Sequence, residues 1–266
     1  MNYRISFLLV VMLFTAHSAI AQPSPDSSRI VRVLTFNILH GATTQGDFDL
    51  DAIAKVIEEA KPDLVALQEV DFLTNRARKY DLVTELGWRT RLAPLFGRAM
   101  PYDGGEYGEG VLSRYSFVET RNWALPHGPD KEPRAALEVI TVLPAGDTIA
   151  FVGTHLDHTR NEADRVAQAH KLNAILDAAR HPIILAGDLN AVPGSTPMRI
   201  LEERWTATYD PDDPAPTYPS DQPEEKIDYV LFHPANRWRV VDTQVIQDTV
   251  ASDHCAYLVT LELVAR

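Results

Sequence analysis

The sequence predicts an α/β fold in which two similar layers of strands pack face to face, with helices outside. Short apolar runs typical of buried strands alternate with segments whose apolar residues recur at helical spacing. Two segments share the order strand, helix, strand and acidic residue, and they end at Glu69 and Asp188. The chain contains no composition break or long linker, so we expect these layers to form one domain.

The first 21 residues are predicted to be a secretory signal peptide. A short positive start precedes an apolar stretch over residues 5–16 that is too short to span a bilayer comfortably. Ala19, Ile20 and Ala21 form an A-x-A cleavage signal, and a membrane anchor is the alternative. We therefore expect a periplasmic or extracellular protein, with a Pro/Ser linker over residues 22–29 and a folded domain over residues 30–266.

The acidic composition limits the class of partner. The formal net charge is −12, and removal of the predicted signal peptide would remove Arg4, its only Lys or Arg. A strongly acidic surface argues against a broad nucleic-acid footprint, but a local basic groove or a cation-bridged phosphate substrate stays compatible. Cys255 is the only cysteine, so no internal disulfide forms, and we expect it to be a small buried hydrophobe.

The first part of the domain is predicted to be a strand, a helix and a second strand. Residues 30–38 are apolar on nearly both faces, which is typical of a central strand. Apolar residues at helical spacing over residues 50–60 indicate a helix with Asp49 as its N-cap, and Pro62 ends it. Residues 64–67 form the next buried strand.

The rest of the chain alternates in the same way. Residues 80–86 are predicted to form a helix that ends at Gly87, and residues 99–109 a glycine-rich loop. Two apolar strands flanking Ala145-Gly146-Asp147 indicate a hairpin, and a long helix follows. The Pro/Asp-rich residues 211–223 are expected to be irregular. The remaining predicted elements cover residues 111–112, 135–143, 148–154, 166–179 (the long helix), 183–186, 227–232, 240–246 and 256–263.

Polar residues that suit catalysis follow or interrupt the apolar runs. Glu69 follows a buried strand, where a carboxylate serves either as a metal ligand or as a cap or salt-bridge partner. Asp188 and Asn190 lie two residues apart after another strand, so both side chains point to the same side. Together they are suited to hold a water, an ion or a phosphate oxygen, and the alternative is an Asx-turn that closes the strand.

A histidine near the C-terminus has the setting of a general acid or base. Asp253 and His254 are adjacent, and in a turn both side chains can reach one site. Asp228 begins a strand and can accept a hydrogen bond from His254, which would fix the tautomer of the ring. A lone surface or core histidine is the alternative interpretation.

The sequence lacks the motifs of several hydrolase classes, which excludes those classes. The string His155-Leu156-Asp157-His158 invites comparison with the metallo-β-lactamase pattern HxHxDH, but Gly153 stands where its first histidine would be. The sequence also lacks a GxSxG elbow, a Walker A loop and an HExxH helix, which removes the usual serine-hydrolase, NTPase and zincin alternatives.

Taken in order, the strings TFNILHG, LQEV, GTHLDH, GDLN, KIDYV and SDH resemble the endonuclease/exonuclease/phosphatase superfamily, which has the DNase I-like fold. The resemblance runs from about residue 31 to residue 263. It implies a four-layer α/β sandwich, in which two mainly antiparallel sheets pack face to face with helices outside. It also implies cleavage of phosphoesters that depends on Mg²⁺ or Mn²⁺.

The resemblance also implies roles for individual residues. The implied metal group is Asn37, Glu69 and Asp253, and the implied catalytic group is His155, Asp188, Asn190, Asp228 and His254. In the family's terms, His155 contacts the scissile phosphate, Asp188 and Asn190 orient the attacking water, and Asp228 orients His254. Three further residues are placed at the phosphate: Tyr107, Arg134 and Glu109, the last as a partner of His155. For Arg134, a salt bridge at a strand start is the alternative.

These observations predict a secreted metal-dependent phosphoesterase that uses in-line attack of water on a phosphodiester or phosphomonoester. A nuclease acting on DNA or RNA, or a phospholipid or sugar-phosphate hydrolase, are alternatives, since a fold does not fix a substrate. The intact set of polar residues disfavours a non-catalytic binding protein. We expect a monomer without stable membrane insertion. Six bases are candidates for one rim of the cleft, with solvated helix and loop charges as the alternative: Arg76, Arg78, Lys79, Arg89, Arg91 and Arg98.

Overall fold

The computed structural model describes residues 26–265, which form two six-stranded sheets and four α-helices. The predicted signal peptide and most of the predicted linker lie outside the described residues. Within the linker, Asp26 caps a 3₁₀ turn over Ser27–Arg29. Among the described residues, no helix has the length and apolar character needed to span a bilayer.

The element bounds follow the chain in order. The strands are β1 (Ile30–Asn37), β2 (Leu64–Phe72), β3 (Ala93–Tyr102), β4 (Gly105–Ser113), β5 (Glu119–Leu125), β6 (Arg134–Val142), β7 (Thr148–His155), β8 (Ile183–Asp188), β9 (Thr206–Ala207), β10 (Asp228–His233), β11 (Trp238–Ile246) and β12 (Ala256–Leu263). The helices are α1 (Leu50–Ala60), α2 (Leu82–Thr90), α3 (Ala163–Ala178) and α4 (Thr196–Glu202).

The two sheets repeat one topology, as the shared pattern of the two segments predicted. Their strand orders are β11-β12-β1-β2-β4-β3 and β5-β6-β7-β8-β10-β9. In each sheet the central pair, β1 with β2 and β7 with β8, is parallel and is joined through a helix. The other pairs are antiparallel. The carboxyl ends of both parallel pairs are therefore the sheet ends that carry the predicted site residues.

Three apolar clusters define four layers. One lies between the two sheets and contains side chains such as Val33, Val111 and Phe151. A second packs α1 and α2 on the first sheet, and a third packs α3 and α4 on the second. The four-layer α/β sandwich with mainly antiparallel sheets is thus confirmed.

Local signals explain why several elements form where they were predicted. The Asp49 carboxylate accepts from the backbone N–H groups of Asp51 and Ala52, so it caps α1 as expected. The buried residues of α1 recur at helical spacing and face the first sheet. The predicted hairpin is β6 and β7, which pair antiparallel, and Cys255 is a buried free cysteine.

Glycines account for two of the errors in the predicted elements. Residues 99–109 are not a loop, because β3 and β4 pair across this segment and turn at Asp103 and Gly104. Gly108 allows β3 and β4 to approach each other closely, because a Cβ at this position would lie 2.0 Å from the carbonyl oxygen of Gly97. Likewise α2 continues past Gly87 to Thr90, and a Cβ at Gly87 would meet Leu92 and Pro94.

A β-bulge places Glu69 inside β2 rather than after a strand. The register with β4 shifts between Leu67 and Val70, so Gln68 and Glu69 oppose a single residue. Glu69 adopts a left-handed backbone conformation with φ of 59°. Bulges re-aim side chains, and this one gives a residue within a paired strand access to the cleft.

Candidate active site

One cavity of about 630 Å³ opens at the carboxyl ends of the two parallel strand pairs. Ligands in α/β folds bind at this kind of sheet end. Asp228 and Glu109 lie buried behind the cavity wall. The other predicted site residues all line it: Asn37, Glu69, Tyr107, Arg134, His155, Asp188, Asn190, Asp253 and His254.

The buried carboxylate of Asp188 is the centre of this group. Its Oδ2 accepts from Asn37 Nδ2 at 3.2 Å and lies 3.4 Å from Nε2 of His155 and 3.7 Å from Nε2 of His254. Its Oδ1 accepts from the backbone N–H of Asn190 at 2.9 Å, so the predicted Asx-type contact is present as well. Burial raises the pKa of Asp188 to about 7, against the effect of the nearby His254.

His254 is held between two carboxylates. Its Nδ1 lies 3.0 Å from Oδ2 of Asp228, and its Nε2 faces Asp188. Burial alone would lower the pKa of His254, but the charges of Asp228 and Asp188 raise it to about 10. The ring is therefore an imidazolium at neutral pH, and Tyr218 packs against it with ring centroids 4.7 Å apart.

His155 is held by a buried arginine. Nη1 of Arg134 donates to Nδ1 of His155 at 3.0 Å. Because a guanidinium can only donate, Nδ1 of His155 accepts, and the neutral ring carries its proton on Nε2, which lies 3.4 Å from Oδ2 of Asp188. The Asn190 amide nitrogen lies 3.0 Å from the same Nε2 and in this tautomer does not donate to it. Burial and the Arg134 charge hold the pKa of His155 well below its usual range, so the ring is neutral.

Arg134 combines both of the interpretations that its sequence position allowed. It is 2% exposed, and its Nη2 lies 2.9 Å from Oε2 of Glu132, which is a salt bridge at the start of β6. The same Nη2 donates to Nδ1 of His158 at 3.1 Å. Arg134 nevertheless lines the cavity, next to the buried Tyr107, so its charge is available to a phosphate there.

The predicted pairing of Glu109 with His155 is wrong. Nδ1 of His155 is taken by Arg134, and neither carboxyl oxygen of Glu109 has a hydrogen-bond partner among the described residues. Glu109 is completely buried on β4, opposite the bulge of β2. Burial raises its pKa well above its usual range, which favours the protonated carboxyl group.

The predicted metal group also lines the cavity and contacts Asp188 through Asn37. Asn37 Nδ2 donates to Glu69 at 3.4 Å as well as to Asp188, while its Oδ1 accepts from the backbone N–H of Leu39. Asn37 thus presents its amide N–H groups, and not its oxygen, to the two carboxylates. As placed here it positions Glu69 and Asp188, and it would have to turn its amide to act as an oxygen ligand.

His40 is a cavity residue that the sequence analysis missed. Its Nδ1 lies 3.2 Å from Oε2 of Glu69. Burial opposes ionisation of Glu69, but His40 and Asn37 lower its pKa below its ordinary value. The signal was present in TFNILHG, three residues after Asn37, and His40 shares the left-handed backbone conformation of Glu69 and Asn190. Strained backbone of this kind clusters at functional sites.

The donor set fits a hard divalent cation. Glu69, Asp188 and Asp253 all line the cavity, and burial together with the Glu69 charge raises the pKa of Asp253. Carboxylate oxygens in one site are what Mg²⁺ and Mn²⁺ prefer. Ligand atoms of Asp188, Asp228 and His254 also lie within 4.8 Å of one another. The positive charge of the His254 imidazolium, however, already offsets the negative charge of these two carboxylates.

The predicted basic rim is largely absent. Of the six bases only Arg76 lines the cavity. Arg89 pairs with Asp51 and Glu85, and Arg98 pairs with Glu106. Arg78 packs over Phe48, and Lys79 donates to the carbonyl of Gly104.

Comparisons with known proteins agree with this geometry. A model of the Endonuclease/Exonuclease/phosphatase family matches residues 34–254. A structure of an endonuclease/exonuclease/phosphatase from Beutenbergia cavernae DSM 12333 is 26% identical with a TM-score of 0.74, covering 88% of this chain and 72% of that chain.

Two more distant structures share the fold. The Bacteroides thetaiotaomicron mannosyl-6-phosphatase is 18% identical, with a TM-score of 0.71 and coverage of 87% of this chain and 99% of that chain. The human Nocturnin catalytic domain with a bound sulfate anion is 18% identical, with a TM-score of 0.68 and coverage of 91% and 97%. At these identities the likeness concerns the fold alone.

Proposed function

The chain belongs to the endonuclease/exonuclease/phosphatase family, and we propose that it is an exported, metal-dependent phosphoesterase. The observation that carries this proposal is the convergence on Asp188 of Asn37, His155 and His254, three side chains from three separate segments of the chain. A carboxylate, a neutral histidine and an imidazolium around one point suit acid–base chemistry on a phosphate.

The phosphate of the substrate is proposed to lie between His155 and His254. Arg134 supplies a fixed positive charge and the Nε2–H of His155 supplies a donor on the same wall, with the Asn190 amide 3.0 Å from that nitrogen. The His254 imidazolium supplies positive charge from the opposite side. Donors held in place before the reaction stabilise charge that develops on phosphate oxygens.

Asp188 is the proposed base for the attacking water. Both nitrogens of His254 face carboxylates, Asp228 on one side and Asp188 on the other, so the ring has no free acceptor atom. His254 is then suited to hold the phosphate and to donate a proton to the leaving oxygen. Glu69 and Asp253 would hold Mg²⁺ or Mn²⁺, which when bound neutralises a non-bridging phosphate oxygen.

The test is hydrolysis by the purified mature protein of p-nitrophenyl phosphate, bis(p-nitrophenyl) phosphate and double-stranded DNA in Mg²⁺. We expect release of p-nitrophenol from one of the esters that is lost with EDTA and in Asp188→Asn. Asp177→Asn, an exposed acid on α3 that pairs with Arg204, is the matched control. Folded protein that hydrolyses neither ester nor DNA would refute the proposal.

A nuclease is the second candidate within this family, and the DNA arm of the experiment tests it. The net charge of −12 and the position of five of the six candidate rim bases outside the cavity count against an extended nucleic-acid footprint. A small phosphoester is favoured, and one structure of this fold is a mannosyl-6-phosphatase.

Export is proposed from the sequence of the first 21 residues. Mass spectrometry of the protein recovered from periplasm and medium would give its N-terminus. A chain that begins at residue 22 supports export, and a cytosolic chain that keeps Met1 contradicts it.

A further inference from the structure

Arg76 is fixed at the cavity edge by a buried carboxylate. Its Nε and Nη2 donate to the two oxygens of Asp71 at 2.7 and 2.9 Å, and Asp71 is fully buried. Thr74 donates to the same carboxylate at 2.6 Å. Bidentate pairing sets the plane of the guanidinium, so the orientation of Arg76 is determined before any ligand binds.

The loop that carries Arg76 is fastened to the β3–β4 hairpin. The backbone N–H of Arg76 donates to Asp103 at 2.7 Å, and the Asn75 amide donates to the other oxygen of that carboxylate at 3.1 Å. Lys79 donates to the carbonyl of Gly104 at the same turn. Loop and hairpin therefore form one wall of the cavity.

Two tyrosines continue this wall toward the proposed phosphate position. The Arg76 guanidinium carbon lies 4.6 Å from the ring centroid of Tyr102 and 5.7 Å from that of Tyr107. The two rings are 5.9 Å apart, and Tyr107 adjoins Arg134. Tyr102 is 37% exposed and lines the cavity, so part of its ring is free to contact a ligand.

We propose that Arg76 and Tyr102 form a subsite for the organic group of the substrate, and that this group is a neutral polyol such as a sugar. The inference rests on the proposed phosphoesterase activity and specifies its substrate. Within residues 26–265, Nη1 of Arg76 makes no hydrogen bond, so its N–H groups are available to oxygen acceptors in the cavity.

The charge of the wall favours a neutral group over a second anion. Asp71 balances Arg76, Glu106 pairs with Arg98, and Asp103 lies near Lys79, so this wall carries no net charge. An arginine donor beside an aromatic ring suits hydroxyl oxygens and the apolar C–H face of a sugar ring. A polyphosphate or a nucleic-acid backbone would instead require unpaired cations.

The test compares how well compounds inhibit hydrolysis of the active p-nitrophenyl ester. The inhibitors are inorganic phosphate, pyrophosphate, glucose 6-phosphate, ribose 5-phosphate, glycerol 3-phosphate and thymidine 5′-phosphate. At least one sugar or polyol phosphate is expected to bind about tenfold more tightly than inorganic phosphate, which corresponds to one added hydrogen bond to a charged donor. This advantage should disappear in Arg76→Ala and in Tyr102→Ala.

Arg98→Ala is the matched control, because Arg98 lies on the same hairpin, pairs with Glu106 and does not line the cavity. The Arg98→Ala variant should bind the sugar or polyol phosphate more tightly than inorganic phosphate by the same factor as the wild type. The inference is overturned if no sugar or polyol phosphate exceeds inorganic phosphate, or if the advantage survives in Arg76→Ala. It is also overturned if only pyrophosphate or only thymidine 5′-phosphate binds more tightly than inorganic phosphate. Absence of hydrolysis of both p-nitrophenyl esters and of DNA would instead refute the proposed activity, and calorimetric binding of the same compounds would still decide on the subsite.

Discussion

Asp188 and Asp228 are direct cross-strand partners in the antiparallel pair of β8 and β10, so two buried carboxylates stand side by side. Like charges in such positions destabilise a sheet. His254, which precedes β12, approaches both, with nitrogens 3.0 Å from Asp228 and 3.7 Å from Asp188. The imidazolium thus offsets the repulsion between the two carboxylates, and both carboxylates hold the ring in place.

Replacement of Asp228 by Asn should impair catalysis through His254. The amide keeps the shape of the side chain but cannot stabilise the imidazolium, so we expect kcat to fall about 100- to 10,000-fold with a small change in KM. Steady-state kinetics on the p-nitrophenyl ester measures this. A variant that keeps wild-type kcat would show that His254 does not need Asp228.

Replacement of Arg134 by Lys should weaken the phosphate site and release His155. A lysine keeps the charge but cannot direct a planar donor at Nδ1 of His155. We expect kcat/KM to fall about 10- to 1,000-fold. Arg114→Lys, an exposed residue that pairs with Asp63, is the matched control and should not change the kinetics. Equal kinetics for both variants would contradict the role given to Arg134.

Replacement of Glu109 by Gln should change the stability and the activity only slightly. A protonated carboxyl group and an amide are both neutral and of similar size, so we expect the free energy of unfolding to change by less than about 1 kcal/mol and the activity by less than about threefold. Urea denaturation and kinetics test this. A large loss of activity would restore Glu109 as an ionised partner of His155.

The sequence predicted those parts of the fold that are set by local periodicity. Buried strands such as β1 and β8 and the amphipathic helix α1 are visible in their own residues, and so is the parallel between the two halves. Glycines were misleading, because Gly87 packs against Leu92 and Pro94 and Gly108 packs against Gly97, contacts that exist only once the chain has turned back on itself. The close approach of two backbone segments is not visible in the residues on either side of the glycine. β5 and the short helix α4 were missed as well.

The cavity residues were found because they lie in short strings at strand ends. Their pairings were harder to predict, since those depend on side-chain contacts between strands. Arg134 takes Nδ1 of His155 only because β6 and β7 pair side by side. Arg76 meets Tyr102 only because Asp103 fastens a loop to a hairpin that was predicted to be a loop itself.

Mg²⁺ should stabilise the folded protein through Glu69. A ligand that binds only the native state raises the melting temperature, and for millimolar Mg²⁺ we expect a rise of about 2–8 °C that EDTA reverses. Glu69→Gln should abolish the rise, because an amide cannot replace an ionised ligand. Glu85→Gln, on α2 and paired with Arg89, should keep it. Differential scanning calorimetry gives the comparison, and an unchanged rise in Glu69→Gln would exclude Glu69 as a ligand.

Lys226→Met should stabilise the protein in a pH-dependent way. Lys226 is 3% exposed, its Nζ has no hydrogen-bond partner among the described residues, and it lies 3.2 Å from the ring centroid of Tyr257. Burial lowers the pKa of Lys226 from 10.5 to about 7. Between these values the unfolded chain binds a proton that the folded protein does not, so this residue makes the free energy of unfolding rise with pH.

The methionine variant lacks that dependence. Its advantage over the wild type should therefore be largest at pH 7 and below, at about 2–4 kcal/mol, and should shrink as the pH approaches 10.5. Urea denaturation of both proteins from pH 7 to pH 10 measures the difference, and Lys55→Met, an exposed position on α1, is the control for loss of a lysine. If the wild type were instead the more stable protein at pH 7, the ammonium would be charged in the folded state and held by the Tyr257 ring and Asp228.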